Sequence, residues 1–165
     1  MPTAPTDPAP TDPIRVPDLS DRPHRLSVER AMMTDTHTVY VAWTEQFDRW
    51  FAAPGSVAMT AEVNAPFFFE TESAQEPGTP PTRHPHYGRF LRLEPSRLVE
   101  LTWVTGRGGT EGAETVVTLQ IAPHKIGMHL RLTHAGFYDE ATRDRHESAW
   151  HQILAHLDEV LTGSA

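Results

Sequence analysis

The amino-acid sequence predicts an α+β domain in which one long C-terminal helix packs against the concave face of an antiparallel sheet. Three observations predict this class: strand-like alternation of apolar residues, turn residues at short regular intervals, and an apolar stripe with helical spacing near the end of the chain. The chain has 165 residues, of which 38% are hydrophobic. This length corresponds to one ordinary domain that can bury a core without metal or disulfide support.

Prolines dominate residues 1–24, which we expect to be a disordered or extended tail that precedes a domain over 25–165. The prolines of this segment are Pro2, Pro5, Pro8, Pro10, Pro13, Pro17 and Pro23. Each one fixes its own φ and disfavours helix at the residue before it, so polyproline II is the natural conformation. Whether the tail packs on the domain or binds a partner is left open.

The first elements of the domain are a strand and a pair of short helices. Leu26, Val28 and Arg30 alternate with Ser27, Glu29 and Ala31, a period that predicts a strand. Aromatic and apolar residues then recur at spacings of three and four, which predicts one or two helices over Thr38–Phe51, ended by Pro54 and Gly55. Strands are predicted at Ser56–Val63 and Pro66–Glu72, and a loop rich in Pro, Gly and Thr at Ser73–Pro85.

The centre of the chain is typical of an antiparallel meander. The predicted strands are Tyr87–Leu93, Leu98–Thr105, Glu114–Ala122 and Met128–His134. In the second of them Val99, Leu101 and Trp103 share one face. The Gly106–Gly112 run lacks the Gly-Lys-Ser/Thr ending of a phosphate loop, so we interpret it as a hairpin turn.

The last element is an amphipathic helix. Its apolar stripe consists of Trp150, Ile153, Leu154, Leu157, Val160 and Leu161. Asp139 and Glu140 lie where the helix is expected to begin and suit the positive end of its dipole. Gly163 is typical of a helix end.

Charge and composition exclude several classes of protein. The formal net charge is −8 and there is no cysteine. An acidic chain repels nucleic acid and anionic lipid, so neither is an expected partner. Disulfides, thiolate metal sites and cysteine nucleophiles are excluded. No apolar run is long enough to span a bilayer and the N-terminus does not resemble a signal peptide, so we expect a soluble cytoplasmic protein.

The sequence offers few candidate metal-binding or catalytic residues. His84-Pro85-His86 has the spacing of a chelating pair but no evident third ligand, so no metal or cofactor is predicted. No serine lies in G-x-S-x-G, and no catalytic residue is assigned. His134 is expected on the inward face of its strand, where it is either a ligand or acid/base group or a histidine bonded to the backbone.

Several short motifs in order resemble one family. They are Trp43-Thr44 with Phe47 and Trp50-Phe51; Gly88-x-Phe90 before Leu93-x-Pro95; Arg97 to Trp103; Glu114-x-Val116-Val117-Thr118; Leu130 to Phe137; and His146 with Ala149-Trp150. From about Leu26 to Leu161 the chain resembles the SRPBCC or START-like (Bet v 1-like) superfamily, in the branch named after the activator of Hsp90 ATPase homologue 1. The resemblance implies the helix-grip fold, a curved antiparallel sheet wrapped around a long C-terminal helix with two short helices after the first strand. It also implies a cavity between sheet and helix, which Ala149 would narrow because the family usually has Gly there.

The expected interior is aromatic, which suits either plain core packing or the lining of a pocket for a small apolar molecule. The candidate ligand-binding residues are Phe47, Trp50, Phe67, Phe69, Tyr87, Phe90, Trp103, His134, Phe137 and Trp150. The leading hypothesis is a non-enzymatic module that binds a hydrophobic or amphipathic molecule. The alternatives are an Hsp90-type co-chaperone and an enzyme of the polyketide cyclase or dehydratase kind that uses His134 or Glu100. A homodimer is compatible with each of them.

Overall fold

The computed structural model describes residues 14–73 and 77–163. The elements in chain order are β1 (His24–Met32), α1 (Thr36–Thr44), α2 (Phe47–Trp50), β2 (Pro66–Ser73), β3 (Thr82–Glu94), β4 (Leu98–Thr105), β5 (Thr115–Pro123), β6 (Met128–Phe137) and α3 (Glu140–Thr162). The strands form one six-stranded antiparallel sheet in the order β1-β6-β5-β4-β3-β2. The predicted fold class, with a curved sheet, two short helices after the first strand and a long C-terminal helix, is confirmed.

The core lies on the inner face of the sheet, beneath the helices. Strand alternation places Val99, Leu101 and Trp103 of β4 on this face, all buried. α3 packs on β1 and β6, while α1 packs on β4 and β5. α2 contacts α3, so the three helices together cover the inner face.

α3 begins and ends where the sequence predicts. The Asp139 carboxylate accepts a hydrogen bond of 2.7 Å from the backbone N–H of Thr142, which satisfies one of the free donors of the first turn. Gly163 ends the helix in the left-handed conformation with φ 69°. On the side of the helix that faces β1, Arg30 donates to Asp158 at 2.9 Å. The caps define the ends of α3, and the Arg30–Asp158 contact joins it to β1.

The predicted strand at Ser56–Val63 is wrong. The structure has only one isolated bridge there, in which Ala58 exchanges backbone hydrogen bonds of 2.8 and 2.9 Å with Phe68. Val57 and Met59 pack against the core, which explains the strand-like alternation. No ladder forms around the bridge, so the segment stays irregular.

β3 is longer than predicted, since it already begins at Thr82. The sequence interpretation placed Pro85 at the end of a loop rich in Pro, Gly and Thr, and proline cannot donate to a ladder. β4 pairs with β3 only from His86 onward. Pro85 therefore lies where β3 has one neighbouring strand, and the missing N–H is tolerated.

The first described residues run along the outer face of the sheet. Arg22 donates a hydrogen bond of 3.0 Å to the carbonyl oxygen of Gly136, and Arg89 donates to the carbonyl oxygen of Arg15. Residues 1–13 of the predicted tail lie outside the described residues, so its state and the domain boundary stay predictions. No helix in the described part of the chain is both long and apolar enough to cross a membrane.

Candidate functional site

A pocket of about 490 Å³ opens between the first half of α3 and the end of the sheet formed by β3 and β4. Its apolar lining consists of Phe51, Pro85, Trp103, Ala149, Trp150 and Ile153. Its polar lining consists of Thr71, His84, His86, Thr105, Arg107 and His146. The remaining wall is the glycine-rich turn between β4 and β5. A predominantly aromatic hollow with a few polar groups is the usual form of a small-molecule site.

The β4–β5 turn is held at its base by two threonines. The backbone N–H of Thr110 donates to the hydroxyl of Thr105 at 2.7 Å, and the N–H of Thr105 donates to the hydroxyl of Thr110 at 2.9 Å. A Cβ at Gly109 would lie 2.0 Å from that Thr105 hydroxyl, so a side chain at this position would break the pair. Gly108 has φ +82°, with open space where a Cβ would lie. The predicted hairpin is confirmed.

His86 lies on the strand wall of the pocket. Its Nδ1 is 3.0 Å from the carbonyl oxygen of His84. Because a carbonyl only accepts, Nδ1 carries the proton in the neutral ring. Burial against Phe69 and Trp103 lowers the pKa of His86 to about 4, so the ring is neutral at pH 7.

His146 lies on the helix wall of the pocket. Its Nδ1 is 2.7 Å from the carbonyl oxygen of Thr142, one turn earlier in α3, so Nδ1 is again the protonated nitrogen. Partial burial lowers the pKa of His146, and the neighbouring Arg145 charge acts in the same direction. The ring packs on Phe137 with centroids 4.7 Å apart.

His134 faces inward as predicted, but its ring is completely buried and both nitrogens are bonded. The indole N–H of Trp150 donates to Nδ1 at 3.0 Å, and Nε2 lies 2.8 Å from the hydroxyl of Thr115. That hydroxyl donates to the carbonyl oxygen of Trp103 at 2.5 Å, so it accepts from Nε2–H. Burial, followed by the charge of His146, lowers the pKa of His134 well below its ordinary value. His134 is therefore a neutral connector beneath the pocket, and it does not line the pocket.

Two of the predicted site residues, Trp103 and Trp150, meet in the pocket wall with ring centroids 5.4 Å apart. Six others are core residues that do not line it: Phe47, Trp50, Phe67, Phe69, Phe90 and Phe137, each at most 4% exposed. Their rings pack on one another, as the stacked pair of Phe47 and Phe69 at 5.0 Å shows. Most of the expected central cavity is thus filled by the protein, and the open space lies at one end.

Tyr87 and Glu100, two of the polar candidates, point to the outer face. The alternation that turns His86 inward turns Tyr87 outward, where it is 45% exposed and packs on Phe68. Glu100 accepts hydrogen bonds of 3.1 and 3.2 Å from Arg92 on the same outer face. Neither side chain lines the pocket.

The sequence interpretation missed Phe51, Ile153 and His146 as pocket residues, and it assigned His86 to a loop. Phe51 and Ile153 do belong to the predicted helical stripes. His86 shares strand parity with Phe90 up to the bulge that follows, which is a usable signal once β3 is extended. Among the described residues no three side chains of His, Cys, Asp or Glu are placed to hold a metal ion.

A family model identifies the chain. The model described as "Activator of Hsp90 ATPase homolog 1-like protein" matches residues 34–162, which is most of the chain. This protein belongs to that family. The AHSA1-like family lies in the SRPBCC or Bet v 1-like superfamily, so the resemblance noted in the sequence is confirmed. Folds of this superfamily commonly bind hydrophobic ligands.

Solved structures agree on the fold of this AHSA1-like chain. A Chromobacterium violaceum protein is 21% identical with a TM-score of 0.70, over 84% of this chain and 98% of the other. An AHSA1-like protein from Aeromonas hydrophila is 19% identical with a TM-score of 0.62, over 86% and 94%. The Aha1 dimer from Colwellia psychrerythraea is 15% identical with a TM-score of 0.60, over 84% and 96%. No curated protein matches the sequence significantly.

Proposed function

We propose that this AHSA1-like chain is a non-enzymatic module that binds a small, flat, apolar or amphipathic molecule in the pocket beside α3. The observation that carries the proposal is the wall of the pocket, in which Phe51, Trp103 and Trp150 surround about 490 Å³. Pockets for small molecules commonly measure about 300–1,000 Å³ and are mainly apolar.

The aromatic wall is fixed before any ligand arrives. Trp150 is 2% exposed and donates to the buried His134, while Trp103 is 3% exposed and contacts Phe51 at a centroid distance of 5.9 Å. Side chains that are already ordered lose little entropy on binding. A rigid surface of this kind favours planar ligands that stack on it.

The charge of the lining also suits an apolar occupant. No Asp or Glu of the described residues lines the pocket, although the whole chain carries a net charge of −8. Arg107 is the single cationic side chain of that lining outside the histidines, and it is exposed at the rim. Apart from Arg107 at the rim, a ligand therefore meets aromatic rings, threonines and histidines.

The two residues assigned to the enzymatic alternative, Glu100 and His134, are not placed to act on a molecule in the pocket. Glu100 lies on the outer face with Arg92, and the two ring nitrogens of His134 are bonded beneath the pocket. A general acid or base must come within hydrogen-bond reach of the reacting group. Neither residue lines the space in which a substrate would bind.

A pocket-filling variant tests the proposal. Ala149→Phe places a ring in the pocket, and His151→Phe adds the same ring to an exposed position of α3 that does not line it. We expect saturable binding of the neutral dye N-phenyl-1-naphthylamine, followed by energy transfer from tryptophan, to weaken at least tenfold in Ala149→Phe only. Absence of saturable binding to the wild-type protein, or equal binding by both variants, would contradict the pocket function.

An Hsp90-type co-chaperone is the second candidate, and the description of the family model is the observation that favours it. It predicts that the purified chain raises the ATPase rate of Hsp90. An unchanged rate together with failure to co-purify would exclude it.

Since one structural relative is a dimer, light scattering coupled to size exclusion should also measure whether this chain forms a homodimer.

A further inference from the structure

We propose that His86 and His146 present neutral hydrogen-bond acceptors to the pocket, so that it selects planar molecules with an O–H or N–H donor and discriminates against the matching anions. This assignment rests on the binding function proposed above. It goes further by naming the polar group that the ligand must carry. The two histidines come from opposite walls, one from β3 and one from α3.

The direction of hydrogen bonding is set by the backbone. In both rings Nδ1 is bonded to a carbonyl oxygen, that of His84 at 3.0 Å and that of Thr142 at 2.7 Å. Because a carbonyl has no proton to give, each Nδ1 donates, and each neutral ring keeps an unprotonated Nε2. An unprotonated imidazole nitrogen can only accept.

The two Nε2 atoms are unpartnered and accessible. Neither has a hydrogen-bond partner among the described residues. The only completely buried side-chain nitrogen or oxygen without a partner in that part of the chain is Nε1 of Trp43. The Nε2 atoms of His86 and His146 are therefore not completely buried, and both rings line the pocket.

Burial is the main cause of the neutral state of both rings, and the neighbouring charges act in the same direction. His84 on the same strand and Arg107 on the β4–β5 turn are the ionisable groups that line the pocket on the side of His86. Arg145 on α3 and the buried His134 on β6 face His146. None of these groups is an acid that would stabilise an imidazolium, so the rings remain acceptors near neutral pH.

Arg107 is the group that would favour an anion instead. Its side chain is exposed on the turn, and water and salt weaken the attraction of an exposed charge. A carboxylate deeper in the pocket would face two nitrogen lone pairs and lose its hydration. A donor on the ligand would bond to one of these lone pairs directly.

Three naphthalene probes of similar size separate these contributions: 2-naphthol, which carries a donor; 2-methoxynaphthalene, in which the donor is blocked; and 2-naphthoate, which is ionised. Titration by quenching of tryptophan fluorescence at about pH 7.5 keeps the phenol neutral and the carboxylate charged. We expect 2-naphthol to bind about five- to tenfold more tightly than the methyl ether, as the one net hydrogen bond of its single O–H allows, and 2-naphthoate to bind more weakly than both.

Variants connect this preference to the two rings. His86→Phe and His146→Phe each keep a flat ring but remove one acceptor. The advantage of 2-naphthol over its ether should fall in the variant that loses the ring accepting its single O–H, and the affinity for the ether should hold in both. His151→Phe, on an exposed position of α3 outside the pocket, is the matched control and should keep the full preference. Far-UV circular dichroism checks that each variant is folded.

The outcomes distinguish this inference from the function on which it rests. If all three probes bind but with equal affinity, or if 2-naphthoate binds most tightly, the acceptor assignment is overturned while the pocket function stands. If His86→Phe and His146→Phe both retain the preference for 2-naphthol, the assignment is also overturned. If no probe binds to the wild-type protein, both proposals fail.

Discussion

Acidification should destabilise the fold through His86. Its ordinary pKa of 6.5 falls to about 4 in the folded protein, because the ring is buried between Phe69 and Trp103. The neutral ring is favoured by folding, so its contribution to stability is fully present above pH 6.5. As the pH falls below 6.5, His86 is protonated in the unfolded chain but not in the folded chain. The free energy of unfolding therefore decreases until the pH reaches the folded pKa of about 4.

The size of this loss follows from the shift. Each tenfold change in proton affinity corresponds to about 1.36 kcal/mol, so the fall of the pKa from 6.5 to about 4 gives about 3 kcal/mol in total, of which about 2 kcal/mol is lost by pH 5. A loss of this size is a large fraction of the stability of an ordinary domain.

Urea unfolding measured between about pH 7.5 and 4.5 tests the calculation in wild type and in His86→Phe. The carboxylates and the other histidines titrate in both proteins, so the difference between the two curves isolates His86. We expect the free energy of unfolding to fall more steeply in wild type, by about 2 kcal/mol at pH 5. The exposed His151→Phe should follow the wild-type curve. Parallel curves for wild type and His86→Phe would refute the reasoning.

Two further substitutions test close contacts of the core by urea unfolding. Gly88→Ala puts a Cβ 2.1 Å from the carbonyl oxygen of Thr102, so we expect a loss of about 2 kcal/mol or more, while Gly106→Ala has open space and should change little. Equal effects would show that backbone entropy dominates. Trp150→Phe removes the donor to Nδ1 of the buried His134 and should cost about 1–3 kcal/mol. An unchanged midpoint would mean that the ring nitrogen finds another donor.

The fold follows from the sequence because its signals are local. The stripe that begins at Trp150 and the caps Asp139 and Gly163 define α3 to within a residue. Alternation in β4 identifies which side chains face the core. The error at Ser56–Val63 has the same origin, because alternation reports burial on one side and says nothing about a partner strand.

The site was predicted less well because it depends on contacts between elements. Phe47 and Phe51 belong to one helical stripe, yet Phe47 is sealed in the core and Phe51 lines the pocket. Periodicity gives the direction of a side chain, but the space in front of it depends on which rings arrive from other elements. His134 shows the same limit, since its inward direction was predicted and its two bonds to Trp150 and Thr115 depend on the tertiary structure.

The β4–β5 turn forms a wall of the pocket that differs from the others because it is separate from the hydrophobic core. Trp103 and Trp150 of its lining belong to the hydrophobic core, while one wall is a short glycine-rich tip whose Gly106, Gly108 and Gly109 contribute no side chain to that core. Lengthening or shortening this turn would change the volume of the pocket without removing a side chain from the core. A change in this one hairpin can therefore alter which ligand the pocket binds while the stability of the fold is largely kept.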